Sequence, residues 1–155
     1  MPNPVTVSIV LGSKSDEGHV KATCDLLDRF GIGWEMKFLS AHRQPAKLHD
    51  YVRAAEAAGT RVFIAVAGLS AALPGVIGSI SALPVIGVPV PAGALQGIDA
   101  MLSMVQMPGG IPVATVGVGS NGAKNAAVLA AQILALSDND LRDKLGAYRQ
   151  ELADG

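Results

Sequence analysis

The feature that most limits the folds open to this chain is the regular exchange of short β-branched runs for longer helical patterns. Residues 5–11 (VTVSIVL), 34–39 (WEMKFL), 61–66 (RVFIAV), 84–89 (PVIGVP) and 112–118 (PVATVGV) read as strands. The run 61–66 is apolar almost throughout, which fits a strand covered on both faces in a parallel sheet. Between the runs lie predicted helices. The first starts from a cap at Ser15 or Asp16 and runs to about Phe30, where Gly31 and Gly33 stop it. The second has Pro45 in its first turn and ends near Ala58, before Gly59. A short helix is expected within 68–79, and others over 98–105 and 122–136. A charged amphipathic helix over 139–152 closes the chain. Strand–helix alternation of this kind predicts one domain, 1–155, with an open parallel α/β sheet and helices on both faces.

Composition narrows what such a domain does. Of 155 residues, 50% are apolar, only 16% are charged, and the net charge is −1. A chain with that much apolar surface folds rather than staying disordered. It has no basic run and no broad positive field, so nothing points to nucleic acid. Few charges for so much surface instead suggest burial against partners, with Ala-rich faces such as that of 122–136 available for close subunit packing. The apolar stretch 62–90 is interrupted by Gly68, Pro74, Gly75, Gly78, Pro84, Gly87 and Pro89, which argues against a membrane span. Met1-Pro2-Asn3-Pro4 does not read as a signal peptide, so a soluble, cytoplasmic protein is expected. Cys24 has no second cysteine to pair with, and its place in a helical pattern suits a small core residue.

In a parallel α/β sheet, ligands sit at the carboxyl ends of the strands. Gly12-Ser13-Lys14-Ser15-Asp16 follows the first strand and combines a tight turn, two hydroxyls and a helix start. That suits a phosphate, although the motif fits neither the dinucleotide fingerprint nor the Walker loop. Ser15 or Asp16 as a plain helix cap explains the same residues. Ser40-Ala41-His42-Arg43-Gln44-Pro45 follows the second strand and puts a proton-exchanging imidazole beside a phosphate-binding guanidinium. Ala67-Gly68-Leu69-Ser70-Ala71-Ala72 follows the third, with small residues that admit either a ligand or close helix packing. His19 and His49 fall in helical patterns and read as ordinary surface or half-buried residues. The loop 106–112 (QMPGGIP) reads as a lid or an interface turn. The chain has no Cys/His cluster, H-E-x-x-H, G-x-S-x-G or carboxylate cluster, which leaves His42 as the one good proton-transfer group.

Taken in order, GSKSD at 12–16, SAHRQP at 40–45, AGLSAALPG at 67–75, PVIGVPV at 84–90 and VQMPGGIPVAT at 105–115 resemble the PurE family. These are the N5-carboxyaminoimidazole ribonucleotide mutases of purine biosynthesis. The resemblance implies a three-layer α/β/α sandwich of flavodoxin-like or Rossmann-like type, assembled as a homo-octamer. It implies a reaction with no metal and no organic cofactor, in which a carboxylate leaves the exocyclic nitrogen of the imidazole and returns on C4. By the same resemblance His42 is the acid/base group. Ser13 and Arg43 are phosphate contacts, and Asp16 is a ribose contact. Ser40, Gly68 and Ser70 hold the base and the migrating carboxylate.

The third-strand loop departs from the usual mutase pattern. A second family histidine is replaced by Ala72, and an earlier glycine by Leu69. This loop leans toward the family's other branch, which carboxylates aminoimidazole ribonucleotide with CO2 directly. That branch usually has a lysine after the histidine, where this chain has Arg43. The mutase is the expected activity and the direct carboxylase the alternative, with a non-catalytic nucleotide-binding module behind both.

Overall fold

A computed structural model describes residues 3–155; Met1 and Pro2, part of the start read above for a signal peptide, lie outside the described residues. Five parallel strands, β1 (Val5–Leu11), β2 (Gly33–Phe38), β3 (Val62–Ala67), β4 (Val85–Pro89) and β5 (Ala114–Thr115), form one sheet in the order β2-β1-β3-β4-β5. Four α-helices connect them, α1 (Lys21–Phe30), α2 (Pro45–Ala58), α3 (Leu73–Ile80) and α4 (Ile98–Val105), and two more, α5 (Ser120–Leu134) and α6 (Asn139–Asp154), follow β5. The single domain is a flavodoxin-like α/β/α sandwich, as the strand pattern and the resemblance implied.

The period-two alternation of the strands divides the core into two halves. Val7, Ile9 and Leu11 of β1, with Val62, Ile64 and Val66 of β3, face α1, α5 and α6. Val10, Phe63 and Ala65 face α2, α3 and α4. Both faces of β1 and β3 are therefore buried, which is why their sequences are almost continuously apolar. Ile9 sits opposite Met36 on one side and Ile64 on the other, so β1 is central and β2 is an edge.

Four local expectations needed correction. The first predicted helix is two pieces: a 3-10 turn over Lys14–His19, then α1 from Lys21. The break lets Asp16 and Val20 both turn inward, toward different surroundings. The predicted strand 112–118 pairs regularly only at Ala114–Thr115. Pro112 has no N–H to give the ladder. Beyond Thr115 only scattered bonds remain, from the Val116 N–H to the Gly87 carbonyl and the Gly119 N–H to the Pro89 carbonyl. α5 begins and ends two residues earlier than expected. Its Ala123, Ala126, Ala127, Ala130 and Ala131 are fully buried inside the subunit, so this small face is not available to another copy. It lets α1 come close enough for Thr23 Oγ1 to donate to the Ala123 carbonyl at 2.7 Å.

α6 is capped by Asp138, whose carboxylate accepts from the Leu141 N–H. Leu141, Leu145 and Tyr148 turn inward from it, and Tyr148 meets Phe30 edge to face at 5.5 Å. α2 is tied to the sheet by a polar link: the hydroxyls of Ser8 and Tyr51 are 2.5 Å apart, and Tyr51 donates to Glu35 at 2.8 Å. Burial, foremost, pushes the Tyr51 hydroxyl up, so it stays a donor at neutral pH. Among the described residues no helix is long and apolar enough to cross a membrane.

Candidate active site

Four strands deliver their carboxyl ends to one cleft of about 530 Å3. It is lined by residues after β1 (Gly12, Ser13, Ser15 and Asp16), after β2 (Ser40 to Arg43), after β3 (Gly68 to Leu73) and after β4 (Ala92). It opens where the chain crosses from β1 outward to β2 on one side and from β3 to β4 on the other. Loops diverging from neighbouring strands leave a crevice at that point. All seven residues singled out from the sequence, Ser13, Asp16, Ser40, His42, Arg43, Gly68 and Ser70, line this cleft.

The helix-cap reading of the first loop moves from Ser15 or Asp16 back to Ser13. Ser13 is the cap: its Oγ accepts from the Ser15 N–H at 3.3 Å and from the Ser15 hydroxyl at 2.9 Å. Ser15 and Asp16 are thereby released from capping. Asp16 is 8% exposed. Burial is the main cause that raises its pKa, opposed by its Ser13 backbone bond, the charge of His19 and the Ser15 hydroxyl. A buried carboxylate with few donors is a good acceptor for a ligand hydroxyl, because that bond would offset its lost hydration.

The second loop brings a cation to the first. The Arg43 guanidinium reaches the Gly12 carbonyl, with Nη2 at 3.4 Å. Ser40 Oγ accepts twice from Arg43, from its N–H at 3.2 Å and from Nε at 3.3 Å. Ser40 thus aims the guanidinium, besides facing the cleft. Arg43 lies beside the Gly12–Ser13 turn, where a bound anion would meet guanidinium and hydroxyl donors together. His42 is exposed to the cleft.

The third loop is held in an unusual backbone shape. Leu69 has φ +52° and Ala71 φ +24°, values that side chains other than glycine rarely adopt. Gly68 permits it to pack against the loop after β4. A Cβ there would lie 2.9 Å from the Ala92 Cβ and 3.3 Å from Val90 Cγ2. Gly68 therefore closes the far wall of the cleft by close approach. Ala67, Ala71, Ala72, Leu73 and Ala92 make that wall apolar. The ionisable groups that line the cleft are Asp16, His42 and Arg43.

Ala92 was not foreseen. Its signal was present, since it follows β4 as the other loops follow their strands, but no reactive side chain drew attention to it. His19 and His49 do not line the cleft. Cys24 is half-buried in α1, and burial pushes its thiol up to about 11, so it stays protonated and unreactive. No residue of the loop 106–112 lines this cleft in the same subunit. Gly110, Ile111 and Pro112 border a separate cavity of about 820 Å3, at the amino ends of β4 and β5.

Residues 6–155 match the family model described as AIR carboxylase. A relative from Pyrococcus abyssi, named N5-carboxyaminoimidazole ribonucleotide mutase, is 49% identical over 146 residues, covering 94% of this chain and 83% of the relative. One of the same name from Bacillus subtilis is 49% identical over 144 residues, covering 93% and 89%. Among solved structures, Treponema denticola PurE superposes with a TM-score of 0.88 at 33% identity, covering 96% of this chain and 92% of that one.

Proposed function

Because the chain belongs to the AIR carboxylase family, we propose that its strand-end cleft works as an N5-carboxyaminoimidazole ribonucleotide mutase, an isomerase of purine biosynthesis. One observation carries this reading. The imidazole of His42, the guanidinium of Arg43 and the buried carboxylate of Asp16 come from two separate loops to line one cleft, in a chain 49% identical to proteins of that name.

In this reading Ser13 and Arg43 hold the ribonucleotide phosphate, and Asp16 accepts from a ribose hydroxyl. The third loop, with Gly68 and Ser70, lies along the imidazole and the migrating carboxylate. The N–C bond breaks to release CO2 within the cleft, and the exocyclic nitrogen takes a proton. C4 then attacks the CO2, and the C4 proton is removed. The product is 4-carboxy-5-aminoimidazole ribonucleotide. His42 gives the first proton and accepts the second, so the isomerisation needs no net proton. The apolar wall formed by Ala71, Ala72 and Ala92 suits retention of CO2, since it offers little to a competing water.

The test compares two substrates. N5-carboxyaminoimidazole ribonucleotide, without added bicarbonate, should give the C4-carboxylated product. Product formed only from aminoimidazole ribonucleotide and CO2 would replace this reading with the direct carboxylase. Binding without turnover of either would leave a nucleotide-binding module.

The homo-octamer and the cytoplasmic setting belong to the same proposal. Ile98, Leu102 and Val105 fall on one face of α4, and they and Leu95, just before the helix, are each about half exposed. An apolar stripe of this kind suits contact with another copy. Light scattering should give the mass of eight subunits, and a monodisperse monomer would contradict the assembly. Cell fractionation reads the location.

A further inference from the structure

Gln44 occupies the cap position of α2, yet its side chain makes no capping bond to that helix. Its Oε1 instead turns back and accepts from the Ser40 N–H at 3.2 Å. The Gln44 N–H in turn donates to the Ser40 carbonyl at 2.9 Å. Residues 40–44 are thus closed into a ring by two bonds at its base, with the Arg43 N–H bonded to Ser40 Oγ inside it. His42 stands at the apex of that ring. These loop bonds run between Ser40, Arg43 and Gln44, and none of them holds the His42 ring. The placement of the imidazole therefore depends on the backbone beneath it.

Capping residues usually satisfy the free N–H groups of their own helix. Pro45 follows Gln44 at the first helical position and has no N–H, which removes one such demand. The amide is free to serve the loop. Ser40 is also 9% exposed, so its N–H has little access to water and needs an internal acceptor.

We propose that Gln44 is a positioning residue for the reaction, acting on His42 and Arg43 through its clamp on Ser40. This rests on the mutase reading above. Gln44 touches no reacting atom in this scheme. Its effect should fall on the proton transfers, which depend steeply on the placement of the imidazole, more than on substrate binding, which Ser13 and Asp16 share.

Two substitutions test it. Gln44→Met keeps the length of the side chain and removes the acceptor, while Gln44→Glu keeps an acceptor oxygen. Gln44→Met should lower kcat about tenfold, with KM changed by less than about threefold and an unaltered thermal melt. Gln44→Glu should recover most of kcat. Amide hydrogen exchange supplies a readout independent of turnover: the Ser40 N–H should exchange about tenfold faster in Gln44→Met and return to slow exchange in Gln44→Glu. Unchanged kcat in Gln44→Met, or equal losses in both variants, would overturn the proposal. The two readings fail separately. A parent enzyme inactive on both substrates refutes the mutase, while equal Ser40 exchange in parent and Gln44→Met refutes the clamp whatever the turnover.

Discussion

His42→Asn should lower kcat by roughly 10²- to 10⁴-fold while leaving the protein folded, the range that a positioned acid/base group contributes. That is about 3 to 5 kcal/mol of transition-state stabilisation. Asparagine keeps much of the shape of the imidazole near the backbone and can still hydrogen-bond, but it cannot carry a proton at neutral pH. The side chain is exposed at the mouth of a loop, so the change removes no core packing. The Ser13, Asp16 and Arg43 contacts proposed for the ribonucleotide remain. Substrate binding should persist, and the loss should fall on kcat. Steady-state kinetics with a thermal melt of the same preparation separates chemistry from unfolding. Activity within about threefold of the parent would remove His42 from the mechanism.

Gly122→Ala should cost about 3 kcal/mol, the upper end of what overpacking costs, and it runs against helix propensity. Alanine in place of glycine within a helix is ordinarily favourable by about 1 kcal/mol. Gly122 lies in the first turn of α5, where the chain doubles back on Gly117. A Cβ there would sit 1.6 Å from the Gly117 carbonyl oxygen and 2.5 Å from its carbon. Those are backbone atoms, so no side chain can rotate away to relieve the overlap. Either the turn at 117–119 or the start of α5 must move, and the buried alanine face of α5 moves with it. The size of the clash therefore outweighs the propensity gain. Urea unfolding of parent and variant measures the difference, and equal midpoints would show that the close approach is not needed.

The elements legible in the sequence were those whose reasons are local. The β-branched run 5–11 and the apolar run beginning at Arg61 declare strands because both faces of each are buried. Pro45 and Gly59 mark the two ends of α2 within a residue, because a proline cannot donate and a glycine accepts the left-handed turn at φ +111°. The site was legible for a related reason. Its reactive residues directly follow strands, and a parallel sheet brings strand ends to one edge, so Ser13, His42 and Gly68 could be grouped before any contact was known.

What failed locally failed where a distant neighbour decides. Ser13 takes the cap from Ser15 and Asp16, leaving Asp16 to turn into a cleft whose other walls come from β2 and β3. The run 112–118 has strand composition, but β4 offers regular pairing only at Ala114 and Thr115. The alanines of α5 suit a subunit interface as well as an internal one, and the approach of α1 settles them as internal.

By itself the sequence determined the alternation of strands and helices, the parallel sheet and the set of strand-end residues available for chemistry. Those follow from hydrophobic period and turn chemistry, which act over a few residues. Only the tertiary structure decided that β1 lies between β2 and β3, that Arg43 reaches Gly12, that Ala92 walls the cleft and that Gln44 serves Ser40 rather than its own helix. Each of these is a contact whose partners compete with equally good local alternatives. The competition is settled by which groups the packed sheet leaves buried and in need of a partner.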